Sequence, residues 1–150
     1  MEPSNQTAIV GVSGGIAAYK AADLVSRLVK EGWDVHVLMT PAATQFVGPL
    51  TFAALTGHAV RTEWMPDAKS ASGESLYPHL FPAARADVFV LAPATANSIA
   101  KAAHGLADDI VCATILGLPD TTRKIVCPAM NTAMWNQEAV QANLRILEQR

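Results

Sequence analysis

The stretch Cys127-Pro-Ala-Met-Asn-Thr-Ala-Met-Trp135 puts one side-chain amide, Asn131, among methionines and a tryptophan, just beyond the apolar run Lys124–Cys127. A neutral amide can donate a hydrogen bond to a carboxylate and fix its direction without neutralising it. An arginine there would hold the same anion tightly in the ground state, which does not speed its departure. Met130, next to Asn131, offers a soft apolar wall for a substrate. His79 is a second candidate. It follows the polar, glycine-containing loop KSASGES and Pro78, and its imidazole can act as general acid or base near neutral pH. A third is the turn Gly11-Val-Ser-Gly-Gly15 before a helix, where backbone can approach a ligand closely and unpaired N–H groups favour a phosphate. The P-loop lysine is missing, and Gly11, Gly14 and Gly15 do not fit GxGxxG. The second strand ends Leu38-Met39-Thr40, with no acid to hold a ribose, so a mononucleotide phosphate fits better, with Thr40 as a hydroxyl donor.

The remaining polar groups read as structural. His36 lies inside a strand and His58 follows a glycine turn. His104 ends a helix before Gly105, where a basic ring suits the helix dipole. Asp108 reads as a helix cap and Asp109 as a first-turn residue, because neighbours in a helix do not face each other. Cys112 and Cys127 sit in apolar segments without metal-ligand spacing and read as buried thiols.

Alternating strands and helices must position these groups. Strands are expected at Thr7–Val12, Asp34–Met39, Asp87–Ala92 and Lys124–Cys127. Helices are expected over Ile16–Lys30, from Thr40-Pro41 onward, over Gly48–Gly57, through His104 after Pro93-Ala-Thr-Ala-Asn97, over Asp109–Leu116, and over Asn136–Arg150. Glu63–Pro78 is the least regular stretch. The pattern predicts a single α/β domain over residues 1–150. It is a three-layer, Rossmann-like or flavodoxin-like parallel sheet with right-handed crossovers and helices on both faces. Ligands in such sheets bind beyond the carboxyl ends of the strands, where Ser13-Gly14-Gly15, Thr40, Pro93–Asn97 and Pro128–Asn131 fall. Four strands where five or six are common is the pattern of a shortened unit.

The chain has 150 residues, 51% hydrophobic and only 16% charged, against roughly 25% charged in ordinary soluble domains. Part of the surface is therefore expected to lie in subunit contacts. A net charge of −2 gives no electrostatic case for nucleic acid. There is no apolar run of membrane-spanning length and no signal pattern in MEPSNQT, so the expected location is cytoplasmic.

Three stretches, GVSGGIAAYK, PHLFPAARADVFVLAPATANSIAKAAHGLADD and PAMNTAMW, stand in order from about Ile9 to Leu147, and together they resemble the flavin-containing cysteine decarboxylases. The resemblance implies FMN as cofactor and a homo-oligomer, a trimer or a multiple of trimers, with flavin near a subunit interface. It implies oxidation of the thiol side of a C-terminal cysteine unit, loss of carbon dioxide and formation of an ene-thiol. In the coenzyme A biosynthetic members the small-molecule substrate is phosphopantothenoylcysteine and the product 4′-phosphopantetheine. By the same resemblance the catalytic residues match His79 and Asn131, and substrate contacts fall at Asn131 and Met130. Flavin contacts match Ser13, Gly14, Thr40, Ala94, Thr95 and Asn97, and no metal is implied. The family also has a later substrate clamp with a reactive cysteine in an Ala-Cys-Gly context. This chain stops at Arg150, and neither Cys112 nor Cys127 matches that cysteine. The alternatives are a flavin-binding regulatory subunit without catalysis, a peptidyl-cysteine decarboxylase, and a flavin prenyltransferase of the same general fold.

Overall fold

The computed structural model describes residues 6–63 and 83–150. His79 and the KSASGES segment lie outside that range.

Strand β1 (Thr7–Val12) is the centre of the fold. Its side chains alternate between two cores. Ala8, Val10 and Val12 enter one, and Ile9 enters the other. A strand buried on both faces reads as a continuous apolar run, as this one does. Helix α1 (Ala18–Lys30) lays Ala18, Ala21 and Val25 on the first core at spacings of three and four. It starts two residues later than periodicity suggests, because Gly14 to Ala17 form the turn out of β1. Strand β2 (Asp34–Met39) pairs parallel to β1, with Thr7 beside Asp34 and Val12 beside Met39.

The helix expected to follow Thr40-Pro41 shrinks to a single tight turn, Ala43–Gln45. Gly48, which precedes Pro49, is extended at φ −67 and ψ 140, and residues before proline disfavour the helical region. The chain therefore stops and restarts as α2 (Pro49–Thr56), which ends on left-handed Gly57. Phe52 of α2 is fully buried in the first core. Each such large apolar side chain contributes about 1.5–3 kcal/mol.

Strand β3 (Val88–Ala94) lies on the other side of β1 and runs two residues further than expected. Helices α3 (Ala96–His104) and α4 (Ile110–Gly117) cover the second face. α4 approaches so closely that a Cβ on Gly11 would lie 2.9 Å from Val111 and 3.0 Å from the Phe89 ring. Strand β4 (Arg123–Pro128) completes the order β2-β1-β3-β4. The sheet is wholly parallel, with helices on both faces, as the sequence pattern predicts.

The expected last helix is present as α6 (Glu138–Glu148), two residues shorter at each end than expected, and it buries Val140. Before it lies a short helix that the sequence did not suggest, α5 (Thr132–Trp135). Among the described residues β4 is an edge strand, and it is mostly exposed. That placement corrects the reading of Cys127, which is exposed, whereas Cys112 is buried in α4 as expected. Burial, reinforced by nearby Asp109, pushes the Cys112 thiol up to about 12. No described helix is long and apolar enough to cross a membrane.

Candidate flavin site

The strand order reverses between β1 and β3, and a crevice opens beyond their carboxyl ends. Ser13 sits at that junction, almost fully buried. Its hydroxyl donates to the Pro93 carbonyl and accepts from the Thr95 N–H at 3.0 Å. Both capacities go to joining the two strand ends, so Ser13 shapes the crevice without lining it. Ala94 is also fully buried and does not line it.

The crevice has a volume of about 1000 Å³. Gly14, Thr40, Thr95, Asn97, Met130 and Asn131, all expected from the sequence, line it together. Gly14 packs so tightly on the neighbouring turn that a Cβ would lie 2.5 Å from the Ala42 Cβ and 2.8 Å from its carbonyl carbon. Thr40 accepts from the Ala43 N–H at 3.2 Å. Thr95 caps α3, accepting from the Ser98 N–H at 3.2 Å.

Asn131 is the cap of α5. Its Oδ1 accepts from the Met134 N–H at 2.8 Å. The amide is thereby oriented, and its NH₂ has no partner among the described residues. Asn131 itself is exposed, and so are Met134 and Trp135. The apolar side chains flank this amide without sealing it within one chain.

One cluster at the crevice was not anticipated. Lys101 on α3 pairs with Asp108 at 2.7 Å and Asp109 at 3.3 Å. The hydrogen bond to Asp108 holds the Lys101 ammonium above its usual range and the Asp108 carboxyl below its own. Asp109, expected in the first turn, is the cap of α4, with its Oδ1 accepting from the Cys112 N–H at 2.8 Å. Asp108 lies before the cap. Lys101 falls on the α3 face of Asn97 and Ser98, four and three residues away, and that spacing was the available signal.

The two ends of the crevice differ in charge. Near Lys101, two carboxylates face one ammonium. At the opening of α1, the helix has no side-chain cap and no acid in its first turn. The Ala18 N–H donates to the Gly15 carbonyl at 2.9 Å and the Lys20 N–H to the Ala17 carbonyl at 3.0 Å, so it is the helix dipole that favours an anion there. Apolar Ile16, Ala42, Ala96, Ala129 and Met130 make up much of the wall. These residues fit FMN: the α1 turn would hold the phosphate, and the apolar wall a flat ring system.

Comparison with known proteins agrees. The flavoprotein family model matches residues 1–150. A Streptococcus mutans protein described as "probable phosphopantothenoylcysteine decarboxylase" is 44% identical over 140 residues, covering 93% of this chain and 76% of that protein. The coenzyme A biosynthesis bifunctional protein CoaBC of Bacillus subtilis is 43% identical over 146 residues, covering 97% of this chain. The chain spans 34% of that relative's length. A crystal structure of the FMN-dependent cysteine decarboxylase SpaF superposes with a TM-score of 0.86 at 35% identity, covering 97% of this chain and 81% of that one. The fold is that of an α/β flavoprotein, and the chain belongs to the flavoprotein family. Within it, the chain belongs with the phosphopantothenoylcysteine decarboxylases.

Proposed function

We propose that this chain catalyses the FMN-dependent decarboxylation of 4′-phosphopantothenoylcysteine to 4′-phosphopantetheine, a carboxy-lyase step of coenzyme A biosynthesis. The observation that carries the reading is the oriented amide of Asn131 in the same crevice as the uncapped opening of α1. Bound FMN supplies the two-electron chemistry. The α1 turn at Gly14 and Gly15 binds its phosphate, and Thr40, Thr95 and Asn97 provide polar contacts around it. Asn131 donates its NH₂ to the substrate carboxylate and holds it in the direction of departure. Met130 and Met134 keep water from the reacting carbon. His79 takes the proton released as the thiol is oxidised.

A second copy of the chain completes the site. Ile16, Tyr19 and Met134 stand exposed along the crevice, at 82%, 61% and 42% of their full accessibility. Apolar groups at that level of exposure on a chain so poor in charge support a homo-oligomer, read as a trimer or a multiple of trimers. Light scattering of the flavin-loaded protein checks the assembly, and a monomer sinks it.

For the reaction, the test is a visible spectrum followed by turnover of phosphopantothenoylcysteine, read by product mass. Yellow protein that releases carbon dioxide supports the assignment. Protein without flavin absorbance after reconstitution overturns it, and flavin binding without turnover favours a regulatory subunit. Asn131→Asp sets a second negative charge against the substrate carboxylate, with an expected loss of ~100-fold in kcat. If Asn131→Asp and His79→Asn both turn over normally, the residue roles are wrong even if the activity is right.

A further inference from the structure

We propose that Asp34, His36 and His58 form a binding site for a divalent transition-metal ion of the zinc type, at the end of the sheet opposite the flavin crevice. Asp34 opens β2, His36 follows on the same strand, and His58 comes from the loop after α2. Both ring nitrogens address one carboxylate. His58 Nε2 lies 2.7 Å from Asp34 Oδ1, and His36 Nε2 lies 3.3 Å from Asp34 Oδ2. One donor atom from each of the three residues lies within 4.8 Å of the others.

Two imidazoles and one carboxylate are a donor set that zinc accepts, leaving a further position for water. With bonds of about 2.0–2.2 Å, a tetrahedral ion needs its donors about 3.3–3.6 Å apart. The outermost pair must therefore close by about 1 Å. The freedom for that movement lies in Asp34 and His58, whose side chains are 51% and 42% exposed. His36, at 17%, is the fixed member. The two rings stack with centroids 4.3 Å apart and planes 16° from parallel, so His58 must also tilt as its nitrogen turns toward the ion.

Arg61 carries a positive charge near His36, and its field weakens the attraction for a cation. Asp34 supplies the opposing negative charge. The strand from Asp34 to Met39 separates this cluster from the crevice by about 17 Å. The ion therefore takes no part in the flavin chemistry, and its effect is to fasten the loop after α2 to the start of β2.

Zinc chloride titrated into the untagged, flavin-loaded protein tests this by calorimetry and equilibrium dialysis. The expected result is one ion per chain and a Tm that climbs with zinc concentration. Uptake is lost in both His58→Ala and His36→Ala, and is unchanged in His104→Ala. Flavin absorbance and circular dichroism show that each variant is folded, and Asp34→Asn gives a variant that keeps both rings and weakens binding. Failure of the unsubstituted protein to take up zinc overturns the proposal, as does equal uptake by folded His58→Ala. Either result would leave the three residues as a hydrogen-bonded cluster only.

Discussion

The openings of α1 and α3 face the same crevice and are built differently. α3 carries its own cap, Thr95, with a hydrogen bond to the Ser98 N–H. α4 and α5 are capped in the same way by Asp109 and Asn131. α1 has neither a capping side chain nor an acid in its first turn. α1 instead turns its Ala18 and Lys20 N–H groups back onto the Gly15 and Ala17 carbonyls, and what it offers an anion is its dipole. On the proposed reading the α1 opening serves the flavin phosphate, and substitutions there should lower flavin retention more than loss of the Thr95 cap does.

The largest effect is expected at Gly14. Gly14→Val forces a side chain against the Ala42 backbone and should cost about 1–3 kcal/mol of stability along with flavin retention. Thermal unfolding and flavin absorbance read both, and normal values for both would break the contrast at its root. Gly15→Asp sharpens it. A Cβ there meets Thr95 Cγ2 at an ordinary 3.6 Å, so the substitution fits. Its carboxylate should raise the Tm of flavin-free protein while lowering FMN affinity by about tenfold or more, because one anion replaces another. Flavin fluorescence quenching measures the affinity, and parallel changes in Tm and affinity would count against the idea. Thr95→Ala should cost about 1 kcal/mol and lower flavin affinity less than Gly14→Val does. A Tm shift of a few degrees with flavin retained is the expected result.

A separate effect belongs to Cys112, buried in α4. The Cys112 thiol has its pKa raised from 9.0 to about 12 in the folded chain. Above pH 9 the unfolded chain ionises first, so this group's contribution to stability is present below that pH and is lost as pH rises towards 12. Denaturation between pH 8 and 11 should show the loss, and Cys112→Ala should reduce it. A thiol reagent at neutral pH should modify Cys127 quickly and Cys112 only on unfolding, which bears directly on their opposite burial.

Much of this arrangement could be read from the sequence. The four strands, the glycine turn and the strand-end positions of Thr40, Thr95, Asn97 and Asn131 follow from runs of apolar residues and the rule for ligands in parallel sheets. Periodicity needs length, so the four residues of α5 left no pattern, and the capping role of Asn131 stayed hidden. Asp108 and Asp109 differ by one position, and only the geometry of the turn decides which of them caps α4. Sequence alone does not show that Pro93 and Thr95 arrive beside the Ser13 hydroxyl. The meeting of Asp34, His36 and His58 depends on the loop after α2 folding back on β2, a contact without local signature. The burial of Cys127 was misjudged for a related reason, since an apolar run does not announce that it lies at a sheet edge.

That edge has a consequence of its own. The outer side of β2 is partly closed by Arg61, whose N–H donates to Val37 at 3.2 Å and whose carbonyl accepts from Met39 at 2.9 Å. β4 has no second neighbouring strand among the described residues. A bare strand is a template for growth, on which another extended chain can continue the ladder without limit. Arg123 and Lys124 at one end of β4 and Pro128 at the other make such growth unfavourable, through charge at the first and a missing N–H at the second. Charge at one end of β4 and proline at the other thus oppose strand addition at that edge.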